Sequence, residues 1–179
     1  APARWRRYFG GMKAAFIEKT GPAENLVLGD LPKPALGETQ VLVRVKAVSV
    51  NPIDTYIRAG VVAMPIPLPY IVGCDFAGTV EAVGAKVSRF QPGQRVWGSN
   101  QGLLGRQGTF AEYAAVEEGF AYPMPEGVTE EAAAAVALVG ITAHLGLVRS
   151  ACLMPGETVF VNGGSGGVGG HGGAGGAGG

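Results

Sequence analysis

Charge is scarce in this chain: 16% of its 179 residues are charged, 14 basic against 14 acidic. A formal net charge of zero provides no field to draw a polyanion. Arg4, Arg6 and Arg7 lie in the first eleven residues, which leaves 11 basic residues against 14 acidic ones beyond them. A nucleic-acid surface and an anionic membrane surface are therefore not expected. No uninterrupted apolar run reaches about 18 residues, the length that reads as a membrane-crossing helix. There are only two cysteines, Cys74 and Cys152, far apart and not preceded by a secretory signal. Reduced thiols in a cytoplasmic protein are expected rather than a disulfide framework. The two histidines, His144 and His171, have no partner pattern.

What the chain has in quantity is glycine, 31 residues, and hydrophobic residues, 47%. That suits a globular protein with a well-filled core. From Met12 to about Ala121 the pattern is mostly β. Lys13–Glu18 and Leu26–Leu28 read as short strands, and Val41–Val50 as a half-buried one with partial alternation. Gly73–Val83, Gln94–Gly98 and Gly108–Val116 read as further strands. Asn51-Pro52 breaks the run after Val50, and Ile53–Ala59 suits one or two helical turns ending at Gly60. Here Asn51 serves as a cap, Pro52 takes the first helical position and Asp54 favours the N-terminal dipole. Pro65, Pro67 and Pro69 predict an irregular loop. Many short strands parted by Gly and Pro predict a small, partly open barrel.

Beyond about residue 125 the texture changes. Thr129 predicts a helix cap with Glu130 and Glu131 in the first turn, and Ala132–Ala135 propagates that helix. Leu138–Ser150 reads as a second helix, within which Thr142 can bond a carbonyl one turn earlier. Pro155-Gly156 turns the chain into Thr158–Val161, read as a buried strand entering Gly163-Gly164-Ser165-Gly166-Gly167-Val168-Gly169. A strand followed by Gly-x-x-Gly-x-x-Gly opens a dinucleotide-binding unit, in which glycines let the backbone approach a pyrophosphate. From Gly163 onward, backbone N–H groups of Ser165, Gly166, Gly167 and Val168 would line it. Without a ligand the same residues make only a tight turn. A βαβ unit takes about 30 residues, and only 20 follow Val159. Gly170–Gly179 holds seven glycines and no helical pattern, so it is expected to lie outside the native fold. Ala1–Gly11 is expected to be an extension.

Six motifs occur in one order: Asn51-Pro52-Ile53-Asp54-Thr55-Tyr56-Ile57-Arg58-Ala59-Gly60, Gly73-Cys74-Asp75-Phe76-Ala77-Gly78, Pro92-Gly93-Gln94-Arg95-Val96, Gly108-Thr109-Phe110-Ala111-Glu112-Tyr113, Gly140-Ile141-Thr142-Ala143-His144 and Gly163–Gly169. Together they resemble the medium-chain dehydrogenase/reductase superfamily, and within it the zeta-crystallin-like NADPH:quinone oxidoreductases. The resemblance implies a mainly β, GroES-like catalytic domain over 12–125. It implies the truncated start of an α/β Rossmann domain over 126–169. It further implies NADPH between the two, a small quinone or enone as substrate and a homodimeric parent protein. Asn51 would lie near the nicotinamide, Tyr56 would contact the NADPH, Thr142 would reach the nicotinamide, and Asp54 is the candidate acid.

Zinc-dependent members of that superfamily hold catalytic zinc with Cys, His and Cys. The matching positions here are Asn51, Cys74 and Leu138. Zinc at such a site needs three ligands of N, S or carboxylate type, so no metal is expected. Hydride transfer to an alcohol or simple ketone then lacks its Lewis acid, whereas quinones and conjugated enones need less assistance. The resulting expectation is a zinc-independent, NADPH-dependent reductase whose present residues are inactive alone. The alternatives are a non-catalytic GroES-like binding or assembly module and an enoyl reductase acting on thioesters.

Overall fold

A computed structural model describes residues 11–170. The segments 1–10 and 171–179, with most of the expected extension, the glycine-rich tail and His171, lie outside the described residues.

Two antiparallel sheets form the body. The smaller has the order β2-β1-β4, from β1 (Gly11–Ile17), β2 (Val27–Pro32) and β4 (Tyr70–Ile71). The larger has the order β7-β3-β5-β6-β8. Its strands are β3 (Gln40–Ala47), β5 (Phe76–Val83), β6 (Arg95–Gly98), β7 (Tyr113–Glu117) and β8 (Ala121–Pro123). An isolated bridge joins Ala14 of the smaller sheet to Ala111, in the segment that leads into β7 of the larger. The mainly β architecture, followed by a partial α/β region, is the one expected.

Alternation explains the core. In β1, Met12, Ala14 and Phe16 point to one buried cluster with Ile71. Val41 and Val43 of β3 meet Phe76, Val80 and Val96 in another. The sheet requires glycine at 78, where a Cβ would stand 2.1 Å from the Arg44 carbonyl oxygen. Helix α1 (Pro52–Ala59) follows β3, buries Ile57, and stops at Gly60 with φ +79°. Helix α2 (Glu130–His144) starts where the Thr129 hydroxyl accepts from the Ala132 N–H. Its small residues Ala133 and Ala134 let it approach Ala77 of β5 closely.

Several expectations are corrected. Leu138 does not begin a second helix: α2 runs through it, because neither Pro nor a cap interrupts the pattern there, and Leu145–Ser150 continues it as a π-helix. Thr158–Val161 forms no strand and is not buried, with Phe160 91% exposed. No strand among the described residues runs beside it to pair its backbone. The first half of Gly108–Val116 is not a strand either: Gly108 and Phe110 donate to Ile71 and Val72 instead. The proline-rich loop ends in β4, which the proline pattern did not predict. The helix Glu130–Ser150 is long and apolar enough in composition to cross a membrane, yet Ala133, Ala134 and Ala137 are buried within the fold.

Candidate functional site

The site grows from the end of β3. There the chain leaves the sheet and Asn51 takes an extended conformation, φ −113° and ψ 154°. Its N–H donates to Asp54 Oδ2 at 2.7 Å, and the Asp54 N–H donates back to the Asn51 backbone carbonyl at 3.0 Å, which closes the first turn of α1. Pro52 supplies no N–H and none is needed there. Asn51 and Asp54 are buried, whereas Tyr56, on the same short helix, is half exposed. The sequence-predicted trio is therefore split: the cap faces inward and the tyrosine outward. A mostly apolar hollow of about 320 Å³ opens beside Asp54, Thr55 and Arg58, and Tyr56 does not line it.

Beneath the cap lies Asp75, at the entry to β5 and fully buried. Four donors converge on its carboxylate. Ser49 Oγ, Asn51 Nδ2 and the Leu138 N–H reach Oδ2 at 2.7, 2.8 and 3.3 Å. Ser99 Oγ reaches Oδ1 at 2.5 Å. The backbone oxygen of Asp75 also accepts from Thr109 Oγ1 at 2.7 Å. Sequence reasoning did not single out Asp75, Ser49 or Ser99. The one available signal was an acidic residue set in the apolar stretch Gly73–Gly78, and an acid there has to be buried and partnered.

Burial dominates the electrostatics. It raises the pKa of Asp54, opposed in part by the bond from the Asn51 backbone. It pushes the Cys74 thiol up as well, and the neighbouring Asp54 charge adds to that. Tyr70 is raised by the same cause and donates its hydroxyl to the Gly102 carbonyl at 2.8 Å. Among the described residues Asp54 Oδ1 makes no hydrogen bond of ordinary geometry, although the thiol and backbone of Cys74 stand beside the carboxyl. A carboxyl so placed holds its proton to higher pH than an exposed one, the property a general acid needs. Cys74 is an inert, protonated core thiol by the same reasoning.

Asn51 and Leu138 are brought together here by sharing Asp75 Oδ2, and Cys74 precedes Asp75 in the chain. Among the described residues no group of three His, Cys, Asp or Glu is arranged to hold a metal.

The residues expected to face a cofactor, Thr142 and the glycine turn, lie on and against α2. Thr142 is exposed, and its hydroxyl donates to the Leu138 carbonyl at 2.8 Å. The backbone bond that a helical threonine often makes is thus present. The turn Gly163–Val168 is exposed. A Cβ at Gly167 would lie 3.2 Å from Val139, so the turn rests on α2 one residue past Leu138. Gly163 has φ +78°, and a Cβ at Gly169 would stand 2.3 Å from the Gly163 oxygen. These two glycines are needed for the turn to close at all. The chain then enters a helical turn over residues 167–170. A side-chain-poor, solvent-facing backbone at a helix start fits the approach of a pyrophosphate, so the residues present are compatible with a dinucleotide.

The fold and this site define a GroES-like domain that leads into a glycine-rich turn. The family model for the alcohol dehydrogenase GroES-like domain matches residues 37–126. The chain belongs to that family, within the medium-chain dehydrogenase/reductase superfamily. It is 41% identical to the quinone oxidoreductase of Lama guanicoe over 155 residues, 86% of this chain and 46% of the relative. Among solved structures it is similar to an alcohol dehydrogenase superfamily protein from Novosphingobium aromaticivorans. There the TM-score is 0.82 at 41% identity, over 90% of this chain and 48% of the other. A mycobacterial protein solved in complex with NADPH matches with TM-score 0.78 at 35% identity, over 90% of this chain and 47% of that one. The chain thus spans about half the length of the curated relatives it matches.

Proposed function

We propose that these residues are the catalytic-domain side of a zinc-independent, NADPH-dependent oxidoreductase acting on quinones or α,β-unsaturated carbonyls. Residues 12–125 form the catalytic domain and 126–169 the start of the cofactor domain. The relatives named quinone oxidoreductase support the substrate class, and the NADPH-complexed neighbour supports the cofactor. The observation that carries the reading is the link from the α1 cap to α2. Asn51 and Leu138 meet on one carboxylate oxygen, and the glycine turn rests on Val139. That link joins the proposed nicotinamide end, at Asn51, Tyr56 and Thr142, to the proposed pyrophosphate end, at Gly163, Ser165, Gly166, Gly167 and Val168.

When bound, NADPH supplies the hydride, and the acceptor takes its proton from water or from a nearby acid. Asn51 orients the ring end, and half-exposed Tyr56 offers a flat apolar wall with a polar tip. Asp54 is the residue able to hold a proton, but its cap duty to Asn51 makes positioning its first role. At the position matching a zinc ligand, Asn51 gives its amide nitrogen to Asp75, an arrangement suited to hydride acceptors that need no Lewis acid. The whole protein is cytoplasmic and homodimeric in this reading, and the present residues alone do not turn over.

NADPH fluorescence titration tests the proposal on two proteins. One is the 179-residue chain. The other is a chimera in which residues 1–169 continue into the cofactor domain of the Lama guanicoe relative. Saturable binding by the chimera and not by the chain is the expected pattern. No binding by either overturns the oxidoreductase reading in favour of a non-catalytic module.

A further inference from the structure

A carboxylate at full burial has to be matched by donors, and it is acceptor-only when ionised. Asp75 meets that condition with four donors drawn from three separate stretches of chain. Ser49 follows β3, Asn51 caps α1, Ser99 follows β6, and Leu138 lies inside α2. The three side-chain bonds lie between 2.5 and 2.8 Å.

One of these bonds decides an orientation. An asparagine amide has a donor end and an acceptor end, and a carboxylate attracts only the donor. With Nδ2 held by Asp75, the amide oxygen is turned away from that carboxylate, while the Asn51 N–H and backbone carbonyl hold Asp54 at the first turn of α1. Reversing the amide would set its oxygen against the buried carboxylate. The same Oδ2 accepts from Leu138, so the orientation of Asn51 is referred directly to α2, the helix that carries Thr142 and supports the glycine turn.

We propose that Asp75 is a positioning residue: its carboxylate fixes the amide of Asn51 and locks the cap of α1 to α2, setting the geometry of the site without touching a ligand. The consequence for cofactor affinity rests on the NADPH reading above, whereas the hydrogen-bond claim stands apart from it.

Two measurements separate the two. In the wild-type 179-residue chain, NMR should detect an Asn51 side-chain proton protected from exchange and coupled through the hydrogen bond to the Asp75 carboxyl carbon. In Asp75→Asn that coupling should vanish and the Asn51 amide signals should move toward those of a free amide. In Ser99→Ala, which removes a different donor, they should persist. An unprotected, uncoupled Asn51 amide in the wild type overturns the proposal even if Asp75→Asn does not fold. So does an Asp75→Asn chain with lowered melting temperature but unchanged Asn51 signals, because Asp75 would then be structural only. In the chimera, Asp75→Asn should weaken NADPH roughly tenfold beside Asn51, and by almost nothing in an Asn51→Ala background. Equal weakening in both backgrounds overturns action through Asn51. A chimera that fails to bind NADPH while the NMR coupling is present sinks the cofactor reading and leaves the Asp75–Asn51 lock intact.

Discussion

Arg95 grips Glu130 through two nitrogens, Nε to Oε1 and Nη2 to Oε2, each at 3.1 Å. The same Nη2 also donates to the Val128 carbonyl at 2.6 Å. β6 is thereby fastened to the first turn of α2, and the site depends on that helix being held against the sheet. The Arg95 bond holds the Glu130 carboxyl below its ordinary range. A depressed acid contributes stability above its unfolded pKa and loses it as pH falls through the folded one. Glu130→Gln should therefore lower the melting temperature slightly near neutral pH and leave it unchanged in strong acid. High salt should shrink the difference, because the pair is exposed. A difference that persists undiminished in acid would contradict the pairing.

Asp54 behaves in the opposite sense. Burial raises its pKa, so the folded chain binds the proton more readily than the unfolded one. Its contribution is most favourable below the unfolded value and is lost as pH rises through the folded one. Asp54→Asn retains an oxygen for the Asn51 N–H but carries no charge. Urea unfolding should find the variant at least as stable as wild type near neutral pH, and relatively weaker near pH ~4. A loss of more than about 1 kcal/mol at neutral pH would show that the carboxylate itself is required.

Glycine positions supply a contrast in one experiment. At Gly78 a Cβ would press on the Arg44 carbonyl across the β3–β5 pairing, whereas at Gly119 it meets nothing within 4 Å. Gly78→Ala should cost about 3 kcal/mol, and Gly119→Ala should be neutral or stabilise by up to ~1 kcal/mol. Thermal unfolding of the two variants checks the predicted strand register. Comparable stability for both would mean that β3 and β5 do not pair as described.

The cap of α2 is a further test. Thr129 Oγ1 accepts from the Ala132 N–H at 3.2 Å. Thr129→Ala should cost about 1 kcal/mol, and Thr129→Ser should recover most of it. No loss in the alanine variant would remove Thr129 as the start of the helix.

Local signals were legible in the sequence where the chemistry is local. Asn51-Pro52 and Gly60 bracket α1, and Thr129 begins α2, because caps and breakers act within one turn. In the large sheet β3, β5 and β6 were legible to within a few residues, whereas the start of β7 was not. β4 and β8, of two and three residues, are too short for any period to show. Thr158–Val161 looked like a strand because its residues favour one, but a strand exists only beside a partner. Asp75 was hidden for a related reason. Its four donors come from positions 49, 51, 99 and 138, and no spacing along the chain announces their meeting. The site residues at Asn51 and in the glycine turn were visible as motifs, whereas the carboxylate that joins Asn51 to α2 became visible only in three dimensions.

The most direct measurement of the central claim is quinone-dependent oxidation of NADPH by the chimera, followed by absorbance before and after exhaustive treatment with a metal chelator. The predicted result is turnover that chelation leaves unchanged and that Asn51→Ala lowers about tenfold. No quinone-dependent oxidation, or a rate abolished by the chelator and restored by added zinc, would contradict it.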